Sequence, residues 1–138
     1  MPSSLHNALK DIRALVIDAV ASEGGVGSNV FVIGGVLDDP PMPHIVVADG
    51  RNSDEDFRTH DAGIKAETLD FALHIHTKGR DQGVTLRDHL ANALAGLSGI
   101  VGDTTFGVVT LEGSTHFFNE KLRSNEHVLD FAATITNN

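Results

Sequence analysis

The 138-residue sequence contains no cysteine, no tyrosine and no tryptophan. Without cysteine, the chain has no disulfide, no thiolate nucleophile and no cysteine-based zinc site. Apart from histidine, the only aromatic residues are seven phenylalanines. Few aromatic side chains are therefore available to form a platform for a small molecule or for single-stranded nucleic acid.

Long apolar runs are also missing, since no stretch approaches the ~18 residues that a membrane-spanning helix needs. The opening residues 1–5 lack the basic segment and the apolar run of a signal peptide. We therefore expect a soluble protein that is intracellular where it is made and that has no membrane partner.

Basic residues are few: ten stand against nineteen acidic residues, which gives a formal net charge of −9. This balance opposes a general attraction to phosphate and argues against sequence-independent binding of nucleic acid. It remains compatible with a protein wall past which nucleic acid moves without sticking.

The two helices of the chain are predicted from apolar residues at three- and four-residue spacing. In the first, the stripe is Leu5, Leu9, Ile12, Leu15, Val16, Ala19 and Val20, with Ser3 or Ser4 as its N-cap and Gly24-Gly25 as its end. In the second, it is Leu86, Leu90, Ala93, Leu94 and Leu97. Residues 79–83 are predicted as a turn, after which Thr85 and Asp88 resemble a capping box.

Five strands are predicted, at residues 30–36, 45–48, 67–78, 106–112 and 128–136. The third and fifth alternate apolar and polar side chains, which is typical of strands with one buried face. Residues 115–118 extend the fourth strand, and residues 119–125 form the turn of a long hairpin. The order α-β-β-β-α-β-β predicts one α+β domain over residues 1–138. We expect a mainly antiparallel sheet of about four to five strands with two helices packed on one face.

Residues 49–61 are the most polar segment, with five acids, two arginines and Phe57 as the only large apolar side chain. We interpret the segment as a long exposed loop, and such loops in compact domains tend to be functional or mobile. The acids Asp54, Glu55, Asp56 and Asp61, together with His60, do not have the alternating spacing of a calcium loop.

His74 and His76 are the most plausible metal ligands, because residues i and i+2 of a strand point from the same face. A third ligand must come from elsewhere, and two histidines on the polar side of a half-exposed sheet are the simpler interpretation. No serine stands in a G-x-S-x-G elbow, and residues 24–29 lack the Gly-Lys-Ser/Thr of a phosphate loop. We assign no catalytic residue, no metal ligand and no cofactor, and we expect no enzymatic activity.

Several segments, in their order along the chain, resemble the tail-terminator (tail-completion) family of long-tailed phages and gene transfer agents. Residues 9–20 look like the family's opening helix, and Pro43-His44-Ile45-Val46-Val47 looks like its Pro-aromatic-Val-Val-Ile strand. Residues 69–79, LDFALHIHTKG, are similar to its L-x-L-H-V-W-S-R-x-G strand and turn. Residues 86–97 look like its Ala/Leu-rich helix, and residues 108–111 and 127–134 match its final strand pair. The sequence departs from the family at His44, where Tyr is usual, and at His76, where Trp is common.

The resemblance implies a structural virion protein of the head-tail junction, made in the cytoplasm of a bacterial host. Such a protein forms a homo-oligomer, usually a hexameric ring, that caps the tail tube and joins it to the head-neck connector protein. DNA passes through its lumen without specific binding. By this analogy the candidate contact residues are Asp54, Glu55, Asp56 and Arg58 in the acidic loop, with Glu120, Lys121 and Arg123 at the hairpin tip.

Two alternatives remain open. The first is another neck, head-closure or tail-tube-like protein. The second is a small metal-binding module that uses His74 and His76.

Overall fold

Two long antiparallel strands, β3 (Ala66–Thr77) and β7 (Ser124–Asn137), form the centre of the sheet in a computed structural model of the chain. They pair along the whole of β3, and Phe71 lies opposite Phe131 with the two rings stacked at 5.2 Å. Alternation places one set of side chains on a common buried face: Leu69, Phe71, Leu73 and Ile75 from β3, with Leu129, Phe131, Ala133 and Ile135 from β7.

The structure describes residues 4–21, 26, 29–35, 40–49, 66–102 and 104–137. Its other elements are α1 (Ser4–Ala19), β1 (Val30–Val32), β2 (His44–Asp49), α2 (Arg80–Leu94), β4 (Gly99–Val101), β5 (Thr104–Phe106) and β6 (Thr110–Asn119). The sheet has seven strands in the order β1-β2-β3-β7-β5-β4, and β6 also pairs with β7. All these pairs are antiparallel except the parallel pair of β1 with β2.

Both helices pack over the apolar face of the sheet. The first contributes Ala8, Leu9, Ile12 and Val16 to the core, and the second contributes Leu86, Leu90 and Leu94. These spacings of three and four residues are those of one helix stripe, so the sequence pattern and the packing agree. The α+β class and the helices on one face are therefore as predicted.

The number of strands is larger than predicted. The sequence predicts one strand at residues 106–112, extended by 115–118, whereas residues 99–119 contain three strands, β4, β5 and β6. Two short strands, β4 and β5, turn at Gly102, whose φ of +58° suits a residue without a side chain. The chain then leaves the sheet between Phe106 and Thr110. Val109 is buried and donates its backbone N–H to the carbonyl oxygen of Leu97, while its own carbonyl oxygen accepts from the backbone N–H of Gly96. The segment that follows α2 therefore takes the place of a strand partner.

The start of α2 also differs from the prediction. The helix begins at Arg80 after Gly79, so the residues predicted as a turn form its first turn. Thr85 is inside the helix, and its hydroxyl donates to the carbonyl oxygen of Asp81 instead of capping the N-terminus. Gly83 explains the early start, because this buried residue lies against His127 of β7 and leaves no room for a side chain. Close packing outweighs the low helix propensity of glycine.

Candidate functional site

The β6–β7 hairpin ends in a four-residue turn, 120–123, that carries Glu120, Lys121 and Arg123, the three candidate contact residues predicted at this tip. All three are exposed, as a contact role requires. Asn119 shapes the turn, because its Oδ1 accepts a hydrogen bond of 3.0 Å from the backbone N–H of Leu122. Arg123 closes the turn with a φ of +53°, which is rare outside glycine, asparagine and aspartate.

The other four candidate contact residues, Asp54, Glu55, Asp56 and Arg58, lie outside the described residues. Their role as a contact loop stays a prediction. The nearest described residues on either side of them are Asp49, the last residue of β2, and Ala66, the first residue of β3.

Strand β6 is exposed over nearly its whole length of ten residues. One of its edges pairs with β7, and in the part of the chain that the structure describes no strand pairs with the other edge. Three large apolar side chains on it are open to solvent: Leu111 at 37%, Phe117 at 44% and Phe118 at 54% exposure. Because Phe117 and Phe118 are adjacent in a strand, they point to opposite faces of the sheet. An unpaired edge with apolar side chains on both faces is a surface suited to association.

A groove lies at the opposite end of the sheet, between α1 and β1. It has a volume of about 610 Å³ and is lined by Lys10, Arg13, Phe31, Val32, Ile33, Gly34 and Gly35. The Nε of Arg13 donates to the carbonyl oxygen of Val30 at 2.6 Å, which fixes the guanidinium at the groove wall. Ile33 is 56% exposed, so the groove places an exposed apolar side chain near the two cationic side chains of Lys10 and Arg13.

The sheet face that lies away from the helices carries a cluster of histidines around Glu126. His44 and His76 are opposite each other on β2 and β3, and their rings stack with centroids 4.5 Å apart. Both are buried, as is Glu126. The alternation of β3 predicts that His76 lies on the solvent-exposed side of the sheet. This prediction is wrong, because the ring of His44 covers His76.

Glu126 accepts hydrogen bonds from two side chains, and a third lies nearby. His74 donates from Nδ1 to Oε2 at 2.8 Å, and Asn119 donates from Nδ2 to Oε1 at 3.0 Å. The Nδ1 atom of His76 lies 3.6 Å from Oε1 of Glu126 and is hydrogen-bonded to the hydroxyl of Ser124 at 3.2 Å. Asn119 thus connects the hairpin turn to the buried carboxylate.

The charges of the cluster follow from burial and these hydrogen bonds. Burial lowers the pKa of His76 to about 4, although the charge of Glu126 acts in the opposite direction. Burial also lowers the pKa of His44, while a hydrogen bond to the main-chain carbonyl of Pro41 opposes this. Burial alone would raise the pKa of Glu126, but hydrogen bonds from His74 and Asn119 outweigh it and hold this pKa below its ordinary value. At neutral pH His44 and His76 are uncharged and Glu126 is an anion.

The cluster does not have the geometry of a metal centre. His74 and His76 do point from the same face, as predicted, but the Nδ1 of His74 is taken by Glu126 and the ring of His76 lies flat on His44. Within residues 4–21, 26, 29–35, 40–49, 66–102 and 104–137, no three His, Asp or Glu side chains are grouped so that they could hold a metal ion. The metal-binding alternative therefore receives no third ligand from the described residues.

Sequence reasoning missed four residues of these surfaces. Ser124 and Glu126 fell outside the predicted last strand, whose start was placed at Val128 although β7 begins at Ser124. Phe117 and Phe118 were placed in an extension of the hairpin arm without a role. The available signal was the pair of adjacent bulky apolar residues, since a strand must turn one of the two away from the core.

The fold can be compared with known proteins. No protein-family model matches the chain, and no curated protein sequence matches it. Among solved structures, a chain in a structure titled "Virion of native gene transfer agent (GTA) particle" is similar to it with a TM-score of 0.65. The two are 17% identical, and the similarity covers 91% of this chain and 95% of that chain. At this identity the similarity establishes the fold alone, which is the same over nearly the whole of both chains.

No helix in the described part of the chain has the length and the apolarity that crossing a membrane requires.

Proposed function

We propose that this protein is a structural component of a virion, and more particularly a tail terminator. In this role it forms a ring that caps the tail tube and joins it to the head-neck connector. It acts through contacts with other subunits and carries out no chemistry of its own. The observation that carries the proposal is the similarity of the fold to a chain of a gene transfer agent virion over 95% of that chain. The segments of the sequence that resemble the tail-terminator family give further support.

The surfaces of the molecule agree with an assembling protein. The exposed phenylalanines of β6 are costly for a protein that stays alone in water, because they leave apolar area in contact with solvent. The net charge of −9 suits a ring through which DNA passes, since an acidic or neutral lumen does not retain phosphate. The histidine cluster has its main hydrogen bonds within the chain, so it supports the position of the hairpin.

Electron microscopy of particles made without this protein tests the proposal. We expect tails of excessive and variable length, because nothing then stops the growth of the tube. Particles with tails of normal length and with heads that leak DNA would indicate head closure instead.

A binding experiment with purified components complements the first. We expect the protein to attach to the ends of isolated tail tubes and to form there a particle of several copies, measured by native mass spectrometry. A protein that stays monomeric and binds no tube end contradicts the proposal. A monomer in solution is compatible with it, because assembly then requires the tube.

A further inference from the structure

One corner of the molecule is basic, although the chain as a whole is acidic. This basic corner comprises residues 78–81, where β3 passes into α2, and residues 120–123, the turn of the β6–β7 hairpin. The two segments are adjacent, because Asn125 donates from Nδ2 to the carbonyl oxygen of Lys78 at 3.0 Å. The charged residues of the corner are all exposed and have a net charge of +2: Lys78, Arg80, Lys121 and Arg123 against Asp81 and Glu120. No described acid forms an ion pair with any of the four bases.

The non-helical face of the sheet is acidic at the end that lies away from this corner. Asp70 of β3 and Asp130 of β7 are offset by two residues in the register of the two strands, so their side chains share this face. Glu112 is next to them, at the bulge of β6. Asp70 and Asp130 are partly exposed, and Glu112 is exposed. None of the seven described strands contains a lysine or an arginine, so no strand residue neutralises this acidic end.

We propose that the basic corner of one copy docks on the acidic end of the next copy of the same chain. Within one copy the two surfaces cannot meet, since the seven residues from Arg123 to Asp130 span ~24 Å of extended chain. Each surface is therefore available to a neighbour. This inference rests on the proposed function and names the contact that joins the copies of the ring.

Charge and apolarity both favour a second copy as the occupant. Copies that each carry −9 repel one another, so they approach most favourably where an excess of cations meets acids. Phe117 pairs in register with Glu126, which places its 44% exposed ring on the non-helical face near the basic corner. An exposed aromatic ring beside the cations suits a protein surface better than a phosphate backbone, because aromatic side chains are enriched where proteins meet.

The symmetry of the contact follows from the positions of the two surfaces. Because the basic corner and the acidic end are different surfaces of one chain, their contact is heterologous, and repeated rotation closes it into a ring. The competing arrangement pairs the β6 edges of two copies with each other. That arrangement is isologous and stops at a dimer.

Charge reversal on both sides tests the contact. Lys121→Glu adds an acid to the basic corner, and Asp130→Lys adds a base to the acidic end. We expect each single variant to weaken self-association, or the attachment of several copies to a tube end, by about 3–10-fold in buffer of low salt. The double variant Lys121→Glu/Asp130→Lys should recover most of the loss, because opposite charges then meet again in every contact. Sedimentation velocity and native mass spectrometry measure both effects.

Matched controls separate the contact from an effect of net charge. Lys10→Glu and Asp18→Lys reverse exposed charges of α1, outside both surfaces, and each changes the net charge by as much as its counterpart. Both should have little effect, and Lys10→Glu should not recover the loss in Asp130→Lys. Urea denaturation shows whether the variants are folded, and Asp70→Lys is the second variant of the acidic end if Asp130→Lys lowers stability.

Equal losses in Lys121→Glu and Lys10→Glu overturn the contact, because net charge alone then explains them. A loss in Lys121→Glu without recovery in the double variant also overturns it, and assigns the basic corner to another anion such as DNA or a different acidic protein. Failure of the contact is distinguishable from failure of the proposed function. Attachment to tube ends that neither single variant weakens keeps the tail-terminator proposal and rejects the contact. Self-association that follows the charge exchange in a protein that binds no tube end does the reverse.

Discussion

At the scale of single residues, Gly83 shows how one missing side chain positions a helix. A Cβ placed there would lie 2.5 Å from Cε1 of His127, 2.6 Å from its Nδ1 and 2.8 Å from Oγ1 of Thr77. These contacts are too short for a carbon atom, so either the helix or the His127 ring must move. His127 is itself stacked on His116 with ring centroids 4.2 Å apart, which restricts that movement.

The first prediction concerns Gly83→Ala. In an ordinary helix interior this change stabilises by ~1 kcal/mol, but here overpacking should lower the free energy of unfolding by ~1–3 kcal/mol. Urea denaturation measures the difference, and Asn92→Ala, at an exposed position of the same helix, serves as the control that should not destabilise. A variant as stable as the unchanged protein would show that the first turn of α2 does not pack against β7 in this way.

The second prediction concerns pH and His76. Its pKa is about 4 in the folded chain and 6.5 ordinarily, so below pH 6.5 the unfolded chain takes up a proton that the folded chain does not. The free energy of unfolding should therefore fall as the pH drops from 6.5 towards 4, by about 3 kcal/mol from this residue. The lowered pKa values of His44 and His127 act in the same direction. The depressed pKa of Glu126 adds a loss below its ordinary value of 4.5.

Urea denaturation at several pH values between 7.5 and 4 checks this dependence. His76→Gln should flatten the curve between pH 6.5 and 4, because glutamine takes up no proton. The matched variant is Leu73→Ala, which removes a buried side chain of the same strand and should lower stability about equally at every pH. A pH dependence unchanged by His76→Gln contradicts the assignment.

At the scale of elements, Thr85 distinguishes two descriptions of α2. If Thr85 capped the helix, as its spacing from Asp88 predicted, replacing it with alanine would cost ~1 kcal/mol. The structure places it one turn inside, bonded to the carbonyl oxygen of Asp81. The third prediction is that Thr85→Ala raises the free energy of unfolding by a few tenths of a kcal/mol, since alanine is the better helix former. A loss of ~1 kcal/mol in urea denaturation would mean that Thr85 caps the helix, which would then begin at Leu86.

At the scale of the whole molecule, folding and assembly depend on different residues. Phe117 and Phe118 are exposed in the single chain, whereas the core is formed by the central strands and the helices. The fourth prediction is that Phe117→Thr/Phe118→Thr changes the free energy of unfolding by less than ~1 kcal/mol, because threonine also suits a strand. The same variant should weaken self-association, or attachment to tube ends, by more than ~10-fold, because buried aromatic side chains dominate contacts.

Sedimentation velocity and counts of capped tube ends provide these measurements. Ile100→Thr is the control, since Ile100 is 72% exposed on β4, away from the hairpin. Equal losses in the control and in the phenylalanine variant would indicate a general effect of surface apolarity. Unchanged assembly in the phenylalanine variant would remove β6 from the contact.

The charge of the molecule also bears on assembly. Each chain carries −9, so six copies would carry six times −9, or −54. Such a ring gains from contacts between copies that bring cations next to acids. The acidity that argued against a nucleic-acid binder therefore also constrains how the copies meet.

The sequence alone determined the helices, the central strands and the face that each of them buries. This was possible because the apolar spacing of α1, α2, β3 and β7 is a local pattern, and burial of one face follows directly from it. The exposed hairpin turn with Glu120, Lys121 and Arg123 was also predicted, because a polar run between two alternating segments indicates a turn.

Only the tertiary structure decided what the non-helical face contains and where the elements begin. His44, His76 and Glu126 come from three strands that are distant in sequence, and no local pattern shows that they bury one another. The early start of α2 depends on the space that Gly83 leaves for His127. The edge of β6 that no described strand pairs with is likewise a property of strand order, because whether an edge is paired depends on how the strands are arranged.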